Sequence, residues 1–520
     1  MATVLTSLND SDFHRWLETR RPLGLAVSTW QLAVADATGR SWTMRLADPV
    51  TREALAALRD SGRKVWAPEA GRTAITLHRK TGEPLARLAW LHDASTAYRV
   101  THPGESHWLA PKFGTTYLDQ PRGAARTAVA TARIMTDLAG TFAPETRRAV
   151  LVACEQEQLW RPAQARGWKL DVALLRSQLA EMEGGRAQWG RELGIDLLNT
   201  DTDVGADAAH AWLREVGISI VDGEGNPSLS RDDFGRAEVP DTPEAADRWV
   251  AFRAVRTLAS HLAKLHELSR AASGGRVFST VVPYAQRSGR MSITRPALQN
   301  ITGGSRPLLA ADPGRALVSL DYAQVEPRVA AALSGDTHLA ADLEAGDVYQ
   351  ALALRAGARP EDRPRYKTAF LATLYGQGFT SLGKNLGIEK DAASALIDSI
   401  WTAYPDLAAY KEVLKSRERA GTQELLASGR IQAEARGPYA ALNARIQATA
   451  ADVFYAGCAR VAEVLGAEAL WLGIHDELVI QVPESQTERA SAVLEREMAT
   501  EQNGIPIDGT AQVLGGHWRK

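Results

Sequence analysis

Apolar and polar positions follow three different patterns along this chain. Over residues 1–149, short apolar runs alternate with turn signals. Residues 23–27, 31–35, 41–46 and 87–91 have the length and make-up of strands, and 52–60 and 124–138 carry apolar residues at the spacing of helices. That is the pattern of a small α/β domain. From about 150 to 276 the periodic segments lengthen, and 144–160, 171–193, 206–215 and 242–270 predict long helices. Strands return after 277, at 277–282 and 316–320. Helices then cover 362–418 and 441–465. Two apolar runs, 470–474 and 478–482, flank His475-Asp476-Glu477 and predict a β-hairpin with acids at its tip. A helix at 486–498 and a strand at 510–514 close the chain. A sheet interrupted by a helical insertion, with helices packed on it, is an α+β plan.

Composition narrows the class. The chain has 520 residues, 45% hydrophobic and 23% charged, which is enough for several globular domains with their own cores. Its two cysteines, Cys154 and Cys458, are too few and too far apart for a disulfide framework or a zinc site. The first ten residues have no basic start followed by an apolar core, so no signal peptide is expected. No apolar run reaches the length of a membrane span, and a cytoplasmic protein without a membrane partner is expected. Net charge is -2, but between 248 and 295 nine Lys or Arg face a single acid, Glu267. A basic segment in a balanced chain fits either a nucleic-acid partner or a solvated helix face.

The candidate chemistry centres on 318–328, Val-Ser-Leu-Asp-Tyr-Ala-Gln-Val-Glu-Pro-Arg. The apolar run predicts a buried strand that ends at Asp321, and Pro327 suits the first turn of the helix that follows. An acid at a strand end also serves solubility, so Asp321 needs a partner before it means anything. The hairpin supplies one. Asp476 set against Asp321 would make an oxygen-rich site for Mg2+, a hard cation. Two such ions can activate an attacking hydroxyl and neutralise a leaving pyrophosphate. A third element is the 363–376 segment, where Arg363, Lys367, Leu371 and Tyr375 recur every four residues and share a helix face, with Gly376 at its end. Cations followed by an apolar residue and a phenol suit a nucleoside triphosphate, although a solvated mixed face would read the same way. Arg290, Gln299 and Asn300 offer long polar side chains for minor-groove acceptors. Asn443 and Gln447 lie four apart on a predicted helix. Each of these alone also fits an ordinary polar residue facing solvent.

Together these residues resemble a known family. Asp-Tyr-Ala-Gln-Val-Glu-Pro-Arg (321–328) resembles motif A of family A DNA polymerases, the bacterial DNA polymerase I type. Arg363, Lys367, Tyr375 and Gly376 resemble motif B, and His475-Asp476-Glu477 resembles motif C. Gly289-Arg290-Met291-Ser292, Leu298-Gln299-Asn300-Ile301 and Gly346-Asp347-Val348-Tyr349 add supporting matches. The Gln-Val-Glu-Pro-Arg form is similar to a shorter actinobacterial branch that fuses an exonuclease-like domain to the polymerase.

The resemblance implies a right-hand polymerase with an N-terminal α/β exonuclease-like domain at 1–149. The thumb is then 150–276, the palm 277–360 and 425–520, and the fingers 361–424. It implies that Asp321, Asp476 and the Tyr322 backbone hold two Mg2+ ions, with Mn2+ as the alternative. Glu477 lies near them, and Lys367 joins them in catalysis. Arg363, Lys367, Leu371, Tyr375, Glu326 and Gln324 would meet the dNTP, with Glu326 excluding a ribose 2′-hydroxyl. Arg290, Gln299, Asn300, Asn443, Gln447 and His475 would line primer–template DNA. A monomer that copies DNA templates follows, and a catalytically weak DNA-binding descendant is the alternative.

The sequence departs from the family pattern at Leu371, where an aromatic is usual, with Phe370 beside it. It departs also at Ala372 (usually glycine), Tyr439 (often a DNA-contacting arginine) and Pro327 (commonly leucine). The N-terminal domain departs further. The first strand of a proofreading exonuclease carries Asp-x-Glu, and this chain has Leu25-Ala26-Val27-Ser28-Thr29-Trp30 there. Asp36, Asp93, Asp119 and Asp137 are scattered. A degenerate exonuclease-like fold without proofreading is expected, with no 5′-nuclease domain ahead of it.

Overall fold

A computed structural model describes residues 2–5, 11–19, 21–103, 123–193, 203–222, 224–230, 233–234, 237–301 and 303–519. Asp119 lies outside these residues. The chain divides into two compact units. The first comprises 1–168, 279–299 and 311–516, and the second 169–278, 300–310 and 517–520.

The first unit begins with a six-stranded sheet made of β1 (Ala2–Val4), β2 (Leu23–Val27), β3 (Gln31–Asp36), β4 (Ser41–Arg45), β5 (Val65–Ala67) and β6 (Leu91–Asp93). Its order is β1-β4-β3-β2-β5-β6. The β2-β3-β4 meander is antiparallel, while β1, β5 and β6 pair in parallel. Leu25, Val34, Trp42, Leu55, Leu58 and Leu77 build its main core. The strand expected at 87–91 does not form. Leu85, Leu88 and Leu91 fall three apart, the spacing of a 3-10 turn rather than a pleat, and Leu85–Leu88 takes that turn before β6 begins at Leu91.

Helix α1 (Gly123–Thr141) lies on β2 and β3 through small residues. Ala124 and Ala128 meet Ala26, Ala33 and Ala35. The approach is so close at Gly24 that a Cβ there would overlap the Ala128 carbonyl oxygen.

Helix α2 (Pro144–Leu159) and the short helix Arg161–Arg166 join this sheet to the next one. Arg161 is buried, pairs with Glu157 at 2.6 Å and donates to the carbonyls of Leu88 at 2.9 Å and Leu91 at 2.7 Å. Gln164 accepts from the Val281 N–H at 3.0 Å, and the Trp168 indole donates to the Trp471 carbonyl at 2.7 Å. The stretch from 150 to 168 therefore belongs to the first unit rather than to the long-helix unit that follows it.

The second sheet is antiparallel and four-stranded: β7 (Arg315–Tyr322), β8 (Leu470–Ile474), β9 (Glu477–Pro483) and β10 (Gly509–Gly515), in the order β8-β9-β7-β10. Strand β7 is central and buried continuously from Ala316 to Leu320. Both of its faces are covered, so it reads as an unbroken apolar run rather than an alternating one. The single strand expected at 277–282 is two: Arg276–Val277 in the second unit and Thr280–Val282 in the first, the latter paired with Ser292–Thr294.

The second unit is built on the helices Val172–Leu193 and Pro243–Ala271, which pack on each other. Thr242 caps the latter by accepting from the Ala245 N–H at 3.2 Å. Leu213, Ile218, Ile220, Phe252 and Val255 form its core.

Candidate active site

Strand β7 delivers Asp321 to its C-terminal end, and the register sets Asp321 opposite Glu477 of β9 and Thr510 of β10. His475 and Asp476 make the tight turn between β8 and β9, with His475 at φ +56°. The Tyr322 N–H reaches the Asp476 carbonyl at 3.4 Å, so the hairpin tip is folded onto the end of β7. The Tyr322 ring is buried, and its hydroxyl donates to the Met498 carbonyl at 2.7 Å, which anchors that strand end. Asp321 and His475 are exposed, Asp476 is half-buried and Glu477 is buried. Burial pushes the Asp476 carboxyl up and the Asp321 charge beside it pushes the same way, to about 6, with Arg290 opposing.

Among the described residues, no group of three or more His, Cys, Asp and Glu side chains is arranged to hold a metal. The donors that come together are hard oxygens, the carboxylates of Asp321 and Asp476. They suit a divalent cation that completes its shell from phosphate and water. The repulsion that lifts Asp476 is the interaction such a charge would relieve.

Helix α3 (Val325–Ser334) starts just past this point. Glu326 sits in its first turn, 7% exposed. One of its oxygens accepts from Arg290 at 2.8 Å and the other from the Tyr375 hydroxyl at 2.7 Å. Gln324, left-handed at φ +52°, spends its side-chain amide on the turn ahead of the helix Val348–Arg355: it donates to the Gly346 carbonyl at 2.7 Å and accepts from the Val348 N–H at 3.2 Å.

Helix α4 (Arg363–Leu374) carries the expected cationic face. Arg363 pairs with Asp347 at 2.6 Å, and that carboxylate also caps the helix Val348–Arg355. Burial raises the Asp347 carboxyl, but the hydrogen bond from Arg363 and the cap N–H groups outweigh it, and the net shift is downward. Arg363 and the exposed Lys367 lie 5.5 and 5.7 Å from the centroid of the Tyr349 ring. Leu371 is half-buried and Tyr375 is 43% exposed at the helix end. Phe370 does not take the place of an aromatic on this face, because it is buried between Tyr349 and Tyr404.

The remaining DNA-side candidates are dispersed. Gln299 accepts from the Ile293 N–H, while Asn300 falls in the second unit. Asn443 and Gln447 are half-buried on α5 (Ala441–Leu465), and the Asn443 side-chain oxygen is buried without a hydrogen-bond partner. The basic segment is partly committed to internal contacts. Arg248 pairs with Glu215 at 2.7 Å and lies over Trp212, Arg287 donates to the Glu434 carbonyl, and Arg290 serves Glu326.

Sequence reasoning missed three roles: Asp347 and Tyr349 as supports of the cationic face, Arg290 as partner of Glu326, and the buried pair of Arg430 with Asp452 at 2.9 Å. Only Asp347 carried a local signal, an N-cap residue ahead of a helix.

Comparison with known proteins points the same way. A family model described as DNA polymerase family A matches residues 236–520. A DNA polymerase I of Chloroflexus aurantiacus is 30% identical over 272 residues, covering 47% of this chain and 29% of that protein. A DNA polymerase I of Mycobacterium bovis is 26% identical over an alignment covering 93% of this chain and 57% of that protein. The chain thus spans less than two thirds of the length of these relatives. The polymerase domain of Pol1 from M. smegmatis, solved in complex with DNA primer-template and dNTP, matches 100% of this chain and 99% of its own, with a TM-score of 0.78 at 20% identity. No helix among the described residues is long and apolar enough to cross a membrane.

Proposed function

The chain belongs to DNA polymerase family A and has its right-hand fold, and from that premise we propose that it is a template-directed DNA polymerase without proofreading. It adds dNTPs to a primer 3′-hydroxyl. The observation that carries this reading is the meeting of Asp321 with Asp476, where the hairpin tip folds onto the end of β7.

Family membership implies use of a divalent metal. Mg2+, or Mn2+ in its place, would be held by Asp321, Asp476 and the Tyr322 main chain; two such ions, when bound, would supply activation of the attacking hydroxyl and charge neutralisation of the leaving pyrophosphate. Arg363 and Lys367 bind the triphosphate, and the Lys367 ammonium balances charge on the departing pyrophosphate. Leu371 and Gln324 flank the nucleotide, and Tyr375 packs by the templating position. The Glu326 carboxylate, fixed by Tyr375 and Arg290, occupies the space a ribose 2′-hydroxyl needs. Glu477 borders the carboxylate pair. Arg290, Gln299, Asn300, Asn443, Gln447 and His475 contact primer–template DNA.

In this reading 1–149 is a degenerate exonuclease-like domain, 150–276 the thumb, 361–424 the fingers and the remainder the palm, in a monomeric, cytoplasmic enzyme.

The test is primer extension. Purified protein with Mg2+, dNTPs and a primed template is expected to lengthen the primer, and to leave a mismatched primer undegraded when dNTPs are withheld. No extension overturns the polymerase reading. One observation favours the alternative, a DNA-binding protein with little catalysis: the ion pair that engages Arg363 with Asp347. Binding in a gel shift without extension would select it.

A further inference from the structure

We propose that the protein carries a further binding site, sharing no residue with the carboxylate pair, for an uncharged single-ring molecule with an amide-type edge, the chemistry of a pyrimidine base. The site is a cavity of about 130 Å3 between α2, α5 and the loop at 428–430. The inference does not depend on the polymerase reading.

Apolar residues set the size of the cavity. Ala149, Val152 and Ala153 come from α2, Val100 from the helix Ala94–Thr101 and Ala456 from α5. Val152 is 43% exposed and Ser428 is exposed as well, so the cavity is reached from solvent. An apolar void of roughly 150 Å3 holds benzene. This cavity therefore admits one ring and little more.

Most polar side chains on the wall are already committed. Arg430 is buried, pairs with Asp452 at 2.9 Å and donates to the Ala448 carbonyl at 2.9 Å. The Ser428 hydroxyl donates to the other Asp452 oxygen at 2.7 Å. The Tyr455 hydroxyl donates to the Gly289 carbonyl at 3.1 Å and accepts from the Tyr284 N–H at 2.9 Å. Two groups are left over. Among the described residues the amide of Gln156, a residue 4% exposed, has no hydrogen-bond partner. The hydroxyl of Tyr284, 7% exposed, has none either. Burial pushes the Tyr284 phenol well above its ordinary value, so it stays protonated and can donate.

Unpaired polar groups on an apolar wall are unfavourable, and a ligand that pairs with them recovers that free energy. A primary amide offers a donor beside an acceptor, so a ring with adjacent N–H and C=O groups matches Gln156 in either orientation of the amide. The Tyr284 hydroxyl then meets a neighbouring carbonyl of the ring. Charge narrows the class further. Arg430 is the one cation among the lining residues, and Asp452 neutralises it, so the cavity has no group to receive a phosphate. A free base fits this wall and a nucleotide does not.

The experiment is calorimetric titration of the full chain with uracil, with benzene as a ring that lacks polar groups. Wild-type protein is expected to bind uracil about tenfold more tightly than benzene. Gln156→Leu and Tyr284→Phe should each weaken uracil about tenfold and leave benzene unchanged, which shows that the cavity itself survives. Uridine monophosphate should bind no better than uracil, and a saturating dNTP should not displace uracil. No uracil binding, or equal uracil affinity in the wild type and both variants, overturns the site and leaves the cavity to water. Tighter binding of the monophosphate overturns the uncharged class. Displacement by dNTP places the ring near Asp321 instead and overturns the separate site. None of these outcomes bears on primer extension, so the polymerase reading stands or falls on its own test.

Discussion

In the N-terminal sheet, β3 ends in Asp36 and β6 in Asp93; in the second sheet, β7 carries Asp321 one residue from its end. The three positions look alike in sequence, and the protein uses them in opposite ways. Asp36 accepts from the Trp16 indole at 2.6 Å and from Thr38 and Arg40. Burial pushes its carboxyl up, but those bonds win and hold it below the usual range. Asp93 accepts from the Thr96 N–H at 2.6 Å and the Ala70 N–H at 2.5 Å, closing two helix starts. Both acids are consumed by their own chain. Asp321, by contrast, is exposed and faces a second acid, Asp476, whose ionisation it opposes. Asp36 and Asp93 therefore spend their carboxylates on donors within the N-terminal sheet and its helices, whereas Asp321 presents its carboxylate at the surface beside a second acid.

The largest test of that contrast replaces one acid in each sheet. Asp321→Asn is expected to slow primer extension by at least roughly 1,000-fold, because charge stabilisation at the reacting phosphate is usually the largest single contribution. Primer–template affinity in a gel shift should stay within about threefold. Asp36→Asn should leave the extension rate per folded molecule unchanged. A comparable loss of extension in both variants would erase the distinction between the sheets. Next in size is Lys367→Ala. Loss of one charged phosphate contact should raise the KM for dNTP by about 10- to 100-fold, with a smaller change in kcat, in steady-state extension.

The same contrast explains how much of this molecule could be read from its sequence. The apolar run into Asp321 and the two runs around His475-Asp476-Glu477 are long enough to specify β7, β8 and β9, and with them the acidic pair. The four-residue spacing of Arg363, Lys367, Leu371 and Tyr375 specified the cationic helix face. What stayed hidden depends on contacts between residues far apart in the chain. Arg290 and Glu326 are 36 residues apart and Glu326 and Tyr375 are 49 apart, so nothing local pairs them. Asp93 and Glu157 come together where α2 packs beside β6, with Arg161 pairing with Glu157 and donating to the carbonyls of Leu88 and Leu91 and Cys154 reaching the Asp93 carbonyl. The short parallel strands β1, β5 and β6 have three residues each, too few for period two to show. The 87–91 segment misled because the spacing of its leucines outweighed its apolar make-up.

Two smaller predictions probe the N-terminal sheet itself. Gly24→Val sets a branched side chain against the Ala128 carbonyl, so α1 must lift off β2. A cost of about 1–3 kcal/mol is expected, seen as an earlier thermal transition, with extension by the folded protein retained. An unchanged melting profile would mean that the small-residue seam does not hold the helix.

The finest test is the pH dependence set by Asp93. Burial raises its carboxyl from 3.8 to about 7, the Glu157 charge adds to the rise, and Arg99 with the Thr96 and Ala70 N–H groups offsets part of it. The folded protein therefore binds this proton more tightly than the unfolded chain. The stability it confers is complete below about pH 4, is lost as pH rises to about 7, and changes little above that. Asp93→Asn keeps a side-chain oxygen for the Thr96 N–H but cannot ionise beside Glu157. Melting curves of the variant are expected to lose the slope between about pH 4 and 7, and to lie about 2–4 °C above those of the wild type at pH 8. A variant that keeps the slope would mean that the proton is held elsewhere. The N-terminal acids would then resemble Asp321 and Asp476 more closely than their hydrogen bonds imply.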